Sequence, residues 1–111
     1  MPKLHLVMPM AGRGSRFFDN GFVQPKPLIE IHGKPFFYWA ARSIEKNIDL
    51  DGITFVVLQE HIRDFALAAR IHAFWPDARI VALEDVTPGA AVTCQKGCED
   101  LPDGVPVLFN D

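Results

Sequence analysis

Gly12-Arg13-Gly14-Ser15-Arg16 comes two residues after an apolar run that ends at Pro9, and these residue types suit the binding of phosphate. Two glycines let a backbone turn tightly and bring its N–H groups up to phosphate oxygens with no Cβ in the way. Arg16 adds a planar guanidinium that can grip two phosphate oxygens at once. Two better-known phosphate loops do not fit. A Walker loop closes on Gly-Lys-Ser/Thr, whereas here Ser15-Arg16 follows the second glycine. A dinucleotide fingerprint needs a third glycine where this chain has Phe17, and then a helix. Here a stretch punctuated by Pro and Gly follows instead.

Charge distribution points the same way. Residues 1–34 hold Lys3, Arg13, Arg16, Lys26 and Lys34 against Asp19 and Glu30, while the net charge of the whole chain is −3. Cations gathered at the front of an acidic chain suit a small, highly negative ligand. Arg13, Arg16 and Lys26 sit among glycines and prolines, not on a solvated helix face. The overall acidity argues against a nucleic-acid partner.

The elements that must position this loop alternate along the chain. Lys3 to Pro9 reads as a strand, followed by an irregular stretch over residues 11–27, a length that inside a compact domain points to function. Leu28 to Ile31 is a short extended segment turned by His32-Gly33-Lys34. A helix opens at Pro35, with Phe37, Ala40, Ala41, Ile44 and Ile48 on one face. Phe36, Phe37, Tyr38 and Trp39 point all round that helix, and most are expected in the core. Ile53 to Leu58 is a doubly covered strand. Glu60 to Trp75 reads as one helix, with apolar positions at 62, 65, 66, 69 and 73. Arg79 to Leu83 is a third strand, Pro88 to Leu101 a third helix, and Val105 to Asn110 a fourth strand. This alternation predicts an α/β fold: a Rossmann-like, mononucleotide-binding, three-layer α/β/α arrangement with a mainly parallel sheet.

With 111 residues the chain suffices for one domain. Its apolar runs are too short to cross a bilayer, and its N-terminus lacks the pattern of a secretory signal. No membrane association and a cytoplasmic location are therefore expected. Cys94 and Cys98 would share a helix face as small core residues; a metal site would need further Cys or His nearby. The four histidines show no clustered spacing, and no chemistry is assigned to them.

Three blocks in order carry a resemblance: Pro9-Met10-Ala11-Gly12-Arg13-Gly14-Ser15-Arg16-Phe17, Pro25-Lys26-Pro27-Leu28-Ile29-Glu30-Ile31, and Gly33-Lys34-Pro35. Together they resemble the signature of the sugar-1-phosphate nucleotidyltransferase family, also called nucleoside-diphosphate-sugar pyrophosphorylases. That signature is an apolar strand, A-G-G-x-G-[ST]-R, a spacer, P-K-x-L, and x-G-[KR]-P opening a helix. Arg13 stands where many members have a second glycine, and the spacer Phe18 to Gln24 lacks their leucine-threonine segment. Both departures resemble the branch associated with capsule and lipopolysaccharide sugars.

The resemblance implies roles residue by residue. Ala11, Gly12, Arg13, Gly14 and Ser15 would cradle the triphosphate and touch the base. Arg16 would hold the departing pyrophosphate, and Lys26 would neutralise the α-phosphate during attack, in keeping with a transfer governed by positioning and charge. Glu84 and Gly89 match the spacing of the family's base-reading Gln and Gly. A carboxylate only accepts hydrogen bonds, so Glu84 needs a base edge that donates, as cytosine, guanine and uracil all offer. Asp85 is a substitute reader, and Thr87 with Pro88 also suits a helix start. Asp111, ending the fourth strand opposite the phosphate loop, is the expected ligand of Mg²⁺.

The expected activity is transfer of a nucleoside monophosphate from a nucleoside triphosphate to a sugar 1-phosphate, with release of pyrophosphate. The alternatives are a non-sugar acceptor of the phosphocholine or molybdopterin type, and a nucleotide-binding regulatory module without turnover. The chain stops at the carboxyl end of its fourth strand, where ligands bind in open α/β sheets. Residues 1–111 are thus expected to be the N-terminal nucleotide-binding part of a domain, truncated before its acceptor half. The free edge of the fourth strand also invites self-association into a homo-oligomer.

Overall fold

The computed structural model describes residues 3–11, 28–85, 90–99, 101 and 106–109. Four parallel strands form the central sheet: β1 (Leu4–Met10), β4 (Leu50–Leu58), β5 (Arg79–Leu83) and β6 (Val107–Phe109), in the order β5-β4-β1-β6. A two-residue pair, β2 (Glu30–Ile31) and β3 (Lys34–Pro35), makes a separate antiparallel hairpin. The helices are α1 (Phe36–Asn47), α2 (Gln59–Phe65), α3 (Leu67–Phe74) and α4 (Ala90–Cys98). The expected α/β class and parallel alternation are borne out. None of these helices is long and apolar enough to cross a membrane.

Sheet order explains the layering. From β1 the chain steps outward to β4 and β5, and then returns past β1 to β6. Parallel strands are joined by right-handed crossovers, so reversing the direction of travel moves the connecting helix to the opposite face. The cores follow this division. Leu6, Met8, Met10, Ile53, Phe55 and Val57 face α1, α2 and α3, where Phe37, Ala41, Leu67 and Ile71 are buried against them. Val7, Val56 and Leu58 face the other way, with Cys98, Leu101 and Val107 packed on them. The alternating side chains of strands covered on both faces make these apolar runs continuous.

Local chemistry sets the hairpin and the first helix. His32 and Gly33 both have positive φ, 52° and 82°, the backbone hand that lets a two-residue turn match the twist of its strands. Pro35 caps α1 without a side-chain bond; the Phe36 N–H instead donates to the Ile29 carbonyl at 2.9 Å. Of the four consecutive aromatics, Phe37 is fully buried and Tyr38 half-buried, while Phe36 and Trp39 are exposed. The expectation that most lie in the core therefore holds for part of the set. Trp39 satisfies its indole N–H on the Ile31 carbonyl at 2.7 Å.

The helix expected over 60–75 is two helices, broken at Ala66 in the left-handed region (φ 54°, ψ 39°). At 3.6 residues per turn, Leu67, Ile71 and Phe74 would point roughly opposite to Ile62 and Phe65 on one straight helix. The break turns both apolar faces to the same core. Ala66, Ala69 and Ala73, expected on the buried face, are exposed instead.

On the other face α4 approaches closely at Gly97. A Cβ there would lie 2.7 Å from a Val56 methyl and 2.8 Å from a Val7 methyl. In an exposed helix Gly→Ala gains about 1 kcal/mol, but here both valines are fully buried and have little room to yield. Gly97→Ala is expected to lower stability by about 1–3 kcal/mol through overpacking. A urea midpoint at or above wild type would refute this.

A polar chain runs beneath the same helix. Arg79 Nη1 donates to the Gly97 carbonyl at 2.7 Å and to Thr54 Oγ1 at 3.2 Å, and Thr54 Oγ1 lies 2.7 Å from His5 Nε2. Thr54 Oγ1 accepts from Arg79 and also shares a hydrogen bond with His5 Nε2, whose direction follows the tautomer of the ring. Burial pushes the His5 pKa below the ordinary 6.5, Asp51 opposes that shift, and Arg79 adds to it. Below about pH 6.5 the unfolded chain takes up a proton that the folded chain resists. Stability should therefore fall as pH drops from about 6.5 toward the folded-state pKa, by up to about 1.4 kcal/mol per pH unit. Urea titrations at pH 5.5 and 7.5 on wild type and His5→Gln test this; equal pH dependence in both would exclude His5 as the cause.

Candidate functional site

Because the four strands are parallel, their carboxyl ends open on one edge of the sheet. There β1 ends at Met10 and leads into Ala11, β4 ends at Leu58 and leads into Gln59, β5 ends at Leu83 and leads into Glu84, and β6 ends at Phe109. The connection from β1 leaves toward β4, whereas β6 lies on the other side of β1. This is the topological switch point at which open α/β sheets bind ligands.

The glycine–arginine motif starts at this point. Ala11 is 3% exposed and Leu28 is fully buried, so the stretch between them is anchored to the core at both ends. Ala11 packs with Val7, Val56 and Leu58, and Leu28 with the cluster on the opposite face. Of the predicted site residues, the described ones are Ala11, Glu84 and the substitute reader Asp85, and the fold brings Ala11 and Glu84 to the same sheet edge with β4 between their strands. Gly12, Arg13, Gly14, Ser15, Arg16, Lys26, Gly89 and Asp111 lie outside the described residues.

Glu84 does not stand alone at that edge. Leu58 and Leu83 are paired in register, and Gln59 and Glu84 directly follow the ends of these adjacent strands. Gln59 also opens α2, whose His61 is buried and whose Ile62 and Phe65 pack against the core. Residues three and four apart share a helix face, which groups Gln59, Glu60 and Arg63 on the other side. With Glu84 these three line an open cavity of about 390 Å³. Arg63 is held in a fork by Asp64, with Nε to Oδ1 at 3.0 Å and Nη2 to Oδ2 at 3.4 Å. Sequence reading missed Gln59 and Arg63; the signal available for Gln59 was its place directly after an apolar strand.

Among the described residues, no group of three or more His, Cys, Asp or Glu side chains is placed to hold a metal ion. Cys98 is a half-buried free thiol against the β1–β4 face, in line with its reading as a core residue.

Comparisons with known proteins bear on the fold and the family. The fold is that of nucleotide-binding α/β transferases. A solved nucleoside-diphosphate-sugar pyrophosphorylase from Vibrio cholerae superposes with a TM-score of 0.70 and 31% identity, over 86% of this chain and 40% of that one. HddC from Yersinia pseudotuberculosis shares the fold with a TM-score of 0.68 at 19% identity, over 96% of this chain and 47% of its own. In sequence, the chain is 30% identical over 77 residues to a 3-deoxy-manno-octulosonate cytidylyltransferase from Psychrobacter, covering 69% of this chain and 26% of the relative. No family model matches the chain. It thus spans less than half the length of each of these relatives. The resemblance carried by the three sequence blocks is confirmed: the chain is related to the sugar nucleotidyltransferases.

Proposed function

We propose that this chain supplies the nucleotide-binding part of an enzyme that transfers a nucleoside monophosphate from a nucleoside triphosphate to a sugar 1-phosphate. An oxygen of the sugar phosphate attacks the α-phosphorus and forms a new P–O bond. The bond from that phosphorus to the oxygen bridging to the β-phosphate breaks, and pyrophosphate leaves with the electron pair. The transfer depends on alignment and on neutralising the phosphate charge. In this reading the Ala11 to Ser15 backbone seats the triphosphate, Arg16 draws off the pyrophosphate, and Lys26 offsets the charge at the α-phosphate. Glu84 and Gly89 face the base. Mg²⁺ would supply further charge neutralisation, and Asp111, two residues past the end of β6, is the carboxylate proposed to hold it. A cytoplasmic site of action accords with a triphosphate substrate.

The observation that carries this reading is the position of Ala11. It leads from the end of β1 into the glycine–arginine motif, at the switch point and on the same edge as Glu84. The test is pyrophosphate release by the full-length protein, measured over a panel of nucleoside triphosphates and sugar 1-phosphates. Turnover is expected with one pair well above the rest. Release with no pair, or only with a non-sugar acceptor such as phosphocholine, would refute the proposal.

A further inference from the structure

We infer that Gln59 and Arg63 determine base specificity: with Glu84 they form a pocket for a nucleobase that bears an exocyclic amino group. The inference rests on the nucleotidyltransferase reading and extends it to residues on a different element. Three observations support it. The in-register pairing of Leu58 with Leu83 sets Gln59 and Glu84 side by side at the sheet edge. The exposed face of α2 brings Arg63 to the same cavity, whose volume of about 390 Å³ falls within the usual range for small-ligand sites. Finally, Asp64 takes Nε and Nη2 of Arg63, which leaves Nη1 outside that fork.

The lining then defines a pattern of donors and acceptors. Glu84 and Glu60 as carboxylates only accept, Arg63 only donates, and the Gln59 amide does both. An amino group on a base donates to a carboxylate, and the acceptor atom beside it on the ring or carbonyl takes a bond from Arg63 or Gln59. Cytosine, guanine and adenine all offer such an edge. Uracil and thymine offer one imide N–H between two carbonyl oxygens, so a carboxylate that reached the N–H would also face those oxygens. A well-placed bidentate contact discriminates between bases by about 1–3 kcal/mol, about 5- to 150-fold.

The full-length protein tests this with CTP, GTP, ATP, UTP and dTTP, reading kcat/KM for pyrophosphate release and affinity by calorimetry. Wild type should favour an amino-bearing triphosphate over UTP and dTTP by about tenfold or more. Arg63→Ala and Gln59→Ala should each raise KM for the preferred triphosphate about tenfold, leave kcat nearly unchanged, and narrow the preference. Arg63→Lys, which keeps the charge and loses the fork, should recover part of the loss. Arg42→Ala, on the exposed surface of α1, should change nothing. A wild-type preference for UTP or dTTP would overturn the inference, as would an unchanged base preference in both alanine variants. If no pair turns over, the proposed reaction fails, and calorimetric preference among the five triphosphates still decides the fate of the pocket.

Discussion

Lys26→Ala in the full-length enzyme is expected to lower kcat for pyrophosphate release by about two to three orders of magnitude, the usual cost of removing one charge contact made mainly in the transition state. The residue lies in Pro25-Lys26-Pro27, two positions before Leu28, which is fully buried. Prolines on both sides narrow the local backbone choices, and Leu28 ties the segment to the core. KM for the triphosphate should shift much less than kcat, because the ground-state triphosphate keeps its other contacts. The melting temperature should stay within a degree or two of wild type. A variant that kept a third of wild-type turnover would show that Lys26 has no part in the chemistry.

Phe37→Ala is expected to cost about 3–5 kcal/mol, the range for a fully buried aromatic ring cut back to a methyl. Phe37 is 1% exposed and sits at the hub of an aromatic cluster. Its ring centre lies 6.0 Å from Phe55, 5.9 Å from Phe74 and 6.4 Å from Trp75, and the Phe55 and Phe74 contacts are edge-on. These three partners come from β4 and from the end of α3 and the residue after it, so one ring ties α1 to both the sheet and the neighbouring helix. Domains of ordinary stability hold only about 5–15 kcal/mol, and the variant should therefore be partly unfolded at 37 °C. Urea denaturation gives the number directly; a loss under 1 kcal/mol would mean that the cluster repacks around the gap.

What could be read in the sequence was whatever local pattern decides. β5 spans the expected Arg79 to Leu83, and β1 is displaced by one residue. The class of fold follows from the alternation of periods. Features set by contacts between distant residues could not be read this way. The break at Ala66 is one, because alanine is the best helix former and yet takes up a left-handed backbone here. The gain comes from burying Leu67 and Ile71, and no local preference reveals it. The exposure of Phe36 and Trp39 is another: helical periodicity says which residues share a face but not how wide the covering layer is. At the site, the motifs of one segment were legible because glycine, arginine and lysine in close order have a local meaning. Arg63 has none, and Gln59 has only its place directly after an apolar strand. They share a cavity with Glu84 only through the register of β4 against β5 and the place of α2 at the edge, both of which are tertiary facts.

The two buried anchors of the motif segment, Ala11 and Leu28, also bear on how such a protein can change over evolutionary time. A segment pinned at both ends loses chain entropy only slowly as it grows, by about 0.6 kcal/mol for each doubling of its length. Insertions, deletions and exchanges between those two positions should therefore be tolerated by the scaffold, while the same changes inside β1 or α1 would disrupt the core. The sheet can thus be inherited unchanged while the length of this one interval varies.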